Sequence, residues 1–302
     1  MAKHHTINSP RLNQIRRKRH RAFRKRVILY FGLILILIIG ISFISRIQKI
    51  NINKIEISGN KVIDSAAIEQ VVQEKISGKY FWLYPKTNFL FYPKYSIKKD
   101  LQNNFKRLKS LSISVKNFQT LEVNVSEYEG EYLWCGTSTS FVSSIDMKEK
   151  KCYFLDSRGY AFDESPYFSG GIYFKFYGNN FNNDLQDNNP IGSYFLPDNF
   201  EKIITFKGYL ENMNFKPSAF WQDENADGNF LISKDLSGPK IIFKTDSDYE
   251  KIAENLESAI STEPLISNLK NKFSSLLYID LRFGNKVYYK FNTPVTVPIK
   301  TP

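Results

Sequence analysis

Histidine is scarce and confined to one end of the chain: there are three, His4, His5 and His20, and residues 45–302 contain none. That removes Ser-His-Asp and Cys-His nucleophilic catalysis, and histidine-ligated zinc, from the greater part of the protein. Cysteine is limited to Cys135 and Cys152, too few for a disulfide-dense scaffold or a cysteine-only structural zinc site. Acidic residues are missing from residues 1–26, which hold ten Lys and Arg. That tail carries most of the net charge of +12, so the remaining residues are nearly neutral. Apolar residues are not scarce. A hydrophobic share of 42%, with 25 Phe and 18 Tyr among 302 residues, excludes a disordered chain. A mean hydropathy of −0.35 excludes a polytopic membrane protein. The length fits two domains.

Residues 27–44, VILYFGLILILIIGISFI, lack any charge. As a helix they span about 27 Å, enough for a hydrocarbon core of roughly 30 Å. Arg26 and Arg46 bracket the run and can snorkel to the two interfaces. A buried core helix would show a polar face, and this one has none. The long basic stretch before it and the poor Ile41-Ser42-Phe43-Ile44-Ser45 cleavage site point to an uncleaved signal-anchor. Ten basic residues precede the run and only Arg46, Lys49 and Lys54 follow it closely. The positive-inside rule therefore keeps residues 1–26 cytoplasmic and puts the C-terminal part outside the cell membrane. Attraction to anionic lipid explains the tail without nucleic-acid binding.

The expected fold class is α+β. Residues 50–128 form a first domain. Ile50, Ile52, Ile55 and Ile57 mark a strand that ends at Gly59-Asn60, and Asp64 caps a helix with Ile68, Val71, Val72 and Ile76 on one face. An aromatic loop follows (Tyr80-Phe81-Trp82-Leu83-Tyr84-Pro85, then Phe89-Leu90-Phe91-Tyr92-Pro93), and a second helix over residues 96–107. Leu111, Ile113, Val115 and then Leu121, Val123, Val125 alternate as two strands around a turn at 117–120, giving the order β-α-α-β-β.

Residues 129–292 read as a β-rich domain with a few helices, and residues 293–302, with Pro294, Pro298 and Pro302, as a disordered tail. The run 132–135 pairs with 152–155, and Asp156-Ser157-Arg158-Gly159 turns the chain into Tyr160-Ala161-Phe162. A helix is expected over 201–212, and strands near 216–221, 229–233 and 240–244. Ser247-Asp248-Tyr249-Glu250 has the form of a capping box for a helix that turns Tyr249, Ile252, Ala253, Leu256 and Ile260 inward. A hairpin around Gly284-Asn285 joins strands 276–283 and 286–292. Cys135 and Cys152 flank paired strands on the oxidising side of the membrane. This favours a disulfide over two buried thiols. Asp223-Glu224-Asn225-Ala226-Asp227-Gly228 matches half of an EF-hand loop, but its twelfth position is Lys234, so a hairpin turn built on Asp227-Gly228 is the expectation. Asn124-Val125-Ser126 fits a glycosylation sequon inside an expected strand.

Two stretches carry a family resemblance: Ile55-Glu56-Ile57-Ser58-Gly59-Asn60, and Leu121-Glu122-Val123-Asn124-Val125-Ser126-Glu127. In this order, just outside a single span, they resemble the POTRA domain of FtsQ/DivIB cell-division proteins. Leu277-Tyr278-Ile279-Asp280-Leu281-Arg282-Phe283 resembles the ending of that family's β domain. The Pro-x-Ala stretch usual after the position of Glu127 is replaced by Tyr128-Glu129-Gly130-Glu131, while Trp134 fits the family's aromatic. The resemblance implies a non-enzymatic, cofactor-free, single-pass type II membrane protein of the division septum. It links early and late division proteins, with FtsB/DivIC-like and FtsL-like partners and, through them, FtsW and FtsI.

The candidate partner-binding strand is Lys286, Val287, Tyr288, Tyr289, Lys290 and Phe291. At a sheet edge its free backbone groups can accept a partner strand, with either Tyr288 or Tyr289 outward; the alternative is that both pack within the sheet. Two other classes compete. A POTRA-containing envelope assembly factor with a barrel needs many amphipathic strands, which residues 129–292 do not supply. A membrane-anchored cell-wall enzyme needs a carboxylate pair or a Ser-Lys dyad, and Ser96-Ile97-Lys98-Lys99 has only the letters of one.

Overall fold

The computed structural model describes residues 10–137, 151–168, 171–183, 189–223, 225–233 and 238–292. Residues 1–9 of the basic tail (with His4 and His5), Glu224, Lys234 and the tail 293–302 lie outside the described residues. The chain divides into two compact units, Met1–Glu127 and Tyr128–Pro302.

The first unit opens with helix α1, Pro10–Ser45, which joins the basic tail and the apolar run into one element. It is the one described helix long and apolar enough to cross a membrane. Its side chains beyond Phe23 are almost all exposed, apart from Ser42 and Ser45. A helix that is apolar all round and uncovered does not suit water. Strand β1, Lys54–Ser58, is shorter than the isoleucine pattern suggests. Ile50 instead ends a 3-10 turn, Gln48–Ile50, and Ile52 enters the core from irregular chain. Helix α2, Ser65–Ile76, is capped by Asp64, whose carboxylate accepts the Ala66 N–H, and it buries Ile68, Val72 and Ile76.

The aromatic loop holds a small hairpin, β2 (Lys79–Tyr80) and β3 (Tyr84–Pro85), which alternation does not reveal. Helix α3 spans Lys94–Asn104, slightly earlier than its pattern predicts, because Phe105 ends it as a cap. Strands β4, Leu108–Lys116, and β5, Thr120–Glu127, complete a sheet of order β1-β5-β4, with β1 parallel and β4 antiparallel to β5. The buried core beneath it is all Ile, Leu and Val.

The second unit is built on a sheet of nine strands. In chain order these are β6 (Tyr132–Trp134), β7 (Cys152–Leu155), β8 (Ala161–Ser165), β9 (Phe174–Tyr177), β10 (Ala219–Gln222), β11 (Asp227–Leu231), β12 (Lys240–Lys244), β13 (Leu276–Phe283) and β14 (Lys286–Phe291). Their spatial order is β14-β13-β12-β11-β10-β9-β6-β7-β8. Strand β9, which the sequence reading lacks, joins the halves by lying parallel to both β6 and β10. Helices α4, Phe200–Asn212, and α5, Tyr249–Ile260, supply Phe200, Ile203, Phe206, Leu210, Tyr249, Ile252 and Leu256 to one core cluster with the sheet's inner face. The N-cap of α5 is Asp248 and not Ser247: its carboxylate accepts the Lys251 N–H. A short further helix, α6, spans Leu265–Lys272.

The β10–β11 turn also differs from expectation. The Ala226 N–H donates to the Asp223 carbonyl, and Asp227 and Gly228 already belong to β11. Gly228 is required there by packing: a Cβ would sit 2.6 Å from the Phe243 ring.

Candidate interaction surfaces

Strand β14 is the end strand of the nine-stranded sheet, and among the described residues nothing pairs with its outer side. Its exposure alternates along its length. Val287, Tyr289 and Phe291 pack against the core cluster, whereas Lys286, Tyr288 and Lys290 face out. Of the two tyrosines it is Tyr288 that is outward, 48% exposed, with its ring against Phe283 at 5.2 Å.

The Asn292 N–H donates to the Ser275 carbonyl at 2.6 Å, so that residue's N–H faces β13. Both register irregularities in this pair place the extra residue on β13, leaving β14 itself regular. Alternation along a regular strand then turns the N–H groups of Tyr289 and Phe291 toward the open side. Strand β13 is meanwhile fixed by the Ile279-Asp280-Leu281-Arg282 motif. Arg282 donates to both oxygens of the buried Asp280 and, at 2.7 Å, to Asp227 on β11. These carboxylate hydrogen bonds hold the Arg282 guanidinium well above its ordinary pKa. The edge thus rests on a cross-strand charge cluster.

The opposite edge is less open. At β8 the Ala161 N–H donates to Ser193 and its carbonyl accepts from Gly192, and Pro166 follows the strand directly. A proline and a covering segment are common ways of blunting a sheet edge. Cys135 and Cys152 are disulfide-bonded. The β6–β7 register, which pairs Trp134 with Tyr153, sets the next two residues directly opposite each other.

The half-EF-hand segment is engaged within the protein. Asp223 accepts the N–H groups of Asn225 and Asp227, and the Asp227 carboxylate is taken by Arg282. Among the described residues no group of three or more His, Cys, Asp or Glu could hold a metal ion. Ser96 lies in the first turns of α3, with Lys99 exposed.

The first unit holds one arrangement that the sequence reading did not assemble. The Glu127 carboxylate accepts the backbone N–H groups of Lys61, Val62 and Ile63, at 2.7 to 3.1 Å. Burial opposes its charge, but these three N–H groups, helped by Arg107, outweigh that and hold its carboxyl below the ordinary range. The chain reaches this nest through Gly59 at φ +85, where a Cβ would lie 2.0 Å from the Val125 carbonyl oxygen. Gly59 and Glu127 are therefore two halves of one lock that joins the chain after β1 to the end of β5. The sequence signal was their presence in the two resembling stretches; the contact itself spans 64 to 66 residues.

No family model matches the chain, and no curated protein matches it.

Proposed function

We propose that this chain is a non-enzymatic, bitopic scaffold of the bacterial divisome, of the FtsQ/DivIB type. In this reading α1 spans the cell membrane with the basic tail inside, the first unit is a POTRA domain, and the second unit recruits partners at the septum. Support for the POTRA reading comes from the mixed sheet β1-β5-β4, with α2 and α3 between β1 and β4, and from the closures of Gly59 on Val125 and of Glu127 on residues 61–63 at its rim. The observation that carries the functional reading is the open edge of β14, with the outward N–H groups of Tyr289 and Phe291 beside an exposed tyrosine. A partner strand of FtsB/DivIC type adds to such an edge through backbone hydrogen bonds, and Tyr288 provides an aromatic anchor.

Nothing in this mechanism requires bond chemistry. The recruited partner, together with an FtsL-like protein, would connect to FtsW and FtsI. The reading is tested by photo-crosslinking in cells from position 288. Adducts to FtsB/DivIC-like or FtsL-like proteins are expected. Adducts to no division protein, or peptidoglycan hydrolysis by the purified chain, would contradict it.

A further inference from the structure

The first unit keeps rings out of its buried core and places them at the end where α1 arrives. Residues 77–99 contain eight aromatics and five lysines without one acidic residue. Within this stretch Phe81 and Trp82 are each 89% exposed, Leu90 is 69% exposed, and Phe91 is also open. Such a patch is unusual on a soluble surface.

The position of the patch is fixed by hydrogen bonds to the helix. The Ser42 hydroxyl donates to the Leu83 carbonyl at 2.9 Å, and the Tyr84 hydroxyl donates to the Ile38 carbonyl at 3.1 Å. The fully buried Asn88 donates to the Ser45 carbonyl at 3.1 Å and, through its side-chain oxygen, organises the turn that carries Leu90. Ile38 and Ser42 lie inside the apolar run, six and two residues before its end at Ile44. At about 1.5 Å per residue, the loop reaches back roughly 9 Å along the run. Phe81 and Trp82 directly precede Leu83 and are therefore held at the level of the helix's outer turns.

The backbone at this tip is also costly. Phe81 and Trp82 have φ of 48° and 60°, in the region that tight two-residue hairpin turns fill with Asn and Gly. Bulky residues are rare there and strained. Phe118, at φ 60°, is an exposed ring on a second turn of this kind, and it packs against Phe89 at 4.7 Å.

We propose that Phe81 and Trp82, with Leu90 and Phe91, form a wedge that inserts into the lipid bilayer beside α1, docking the first unit on the membrane surface. Aromatic side chains favour the level of the headgroups, and the lysines around them suit lipid phosphate. The inference rests on α1 being a membrane span, but not on the divisome reading.

The test uses the full chain reconstituted in vesicles of phosphatidylethanolamine and phosphatidylglycerol, with acyl chains either plain or brominated. Trp82 is one of 3 Trp, and Trp82→Phe replaces an exposed side chain, so the difference between wild-type and variant emission reports Trp82 alone. Bromolipid is expected to reduce that difference at least threefold, whereas acrylamide in the water leaves it nearly unchanged. Phe81→Ser/Leu90→Ser keeps Trp82 as the reporter and, with an unchanged circular dichroism spectrum, is expected to reduce the bromolipid effect on it. Flotation of the wild type with the vesicles after alkaline extraction checks the span independently. If the chain does not float, the span reading fails and the wedge with it. If it floats but acrylamide quenches Trp82 while bromolipid does not, the wedge is overturned and the span stands.

Discussion

The two units treat aromatic residues in opposite ways. In the second unit rings are the core: Phe176, Phe200, Phe206, Phe220, Phe230 and Phe243 are fully buried, and neighbouring rings meet at 4.8 to 6.2 Å. In the first unit the core is aliphatic, and Phe81, Trp82, Tyr95 and Phe118 are on the surface. The chain has ample means of burying rings, so those it exposes call for a reason other than lack of space. Buried rings supply stability through area and edge-to-face contact. Exposed rings on a strained tip cost stability, which is the pattern expected of a surface kept for binding.

The largest test of this contrast is Phe206→Ala. Its ring contacts Phe230, Phe243 and Tyr249, so the second unit should lose about 3–5 kcal/mol in a urea titration. A loss under 1 kcal/mol would show that the rings are not the core's main support. Cys152→Ser comes next. The disulfide closes a 17-residue separation, and its loss should cost the second unit about 3 kcal/mol in the chain-entropy model. The first unit's titration should be unaffected; an equal drop in both would mean that the two are not separately stabilised.

For the first unit, Glu127→Gln should cost about 1–3 kcal/mol by weakening charge-assisted bonds to three N–H groups. The sign of the pH effect follows from the lowered pKa. The stabilisation is complete above the ordinary carboxylate range and is lost as pH falls through the folded value. Wild type should therefore lose this increment in acid, and the variant should lack that part of the pH dependence. A parallel acid profile in the two proteins would count against the lock. The smallest effect belongs to the exposed tip. Phe81→Asn/Trp82→Gly relieves two positive φ angles, so stability in detergent should stay within about 0.5 kcal/mol of wild type or rise by about 1. A fall of 2 kcal/mol or more would mean that these rings are structural after all.

How legible these features were in the sequence depends on how local their cause is. The α2 and α5 helices show a 3.6-residue apolar period behind an Asp, β4 and β5 alternate around a turn, and so does β14 after its turn. Each is decided within about twenty residues. Strand β9 has only Phe174-Lys175-Phe176-Tyr177 to announce it, and it is a strand because β6 and β10 accept it from either side. The same holds for the edge. Alternation in β14 was visible, but its end position follows from the order of nine strands. The Gly59–Glu127 lock and the bonds from Ser42 and Ser45 to the aromatic loop are likewise long-range. Their sequence traces are slight: a glycine before a turn, and two serines three residues apart at the end of an apolar run.

The proposed recruiting edge can be tested at a single backbone atom. Tyr289→Pro removes an N–H that faces away from β13, so the hairpin retains its own ladder while an added strand loses a donor and meets the proline ring. Phe291→Pro does the same two residues on, and Tyr289→Leu removes the ring but keeps the donor. With each variant shown to be folded by circular dichroism and a cooperative melt, co-purification with the FtsB/DivIC-like protein should be lost in both proline variants. It should be weakened only partly in Tyr289→Leu and kept when residues 293–302 are removed. Folded proline variants that still capture the partner at the wild-type level would contradict recruitment by strand addition at β14.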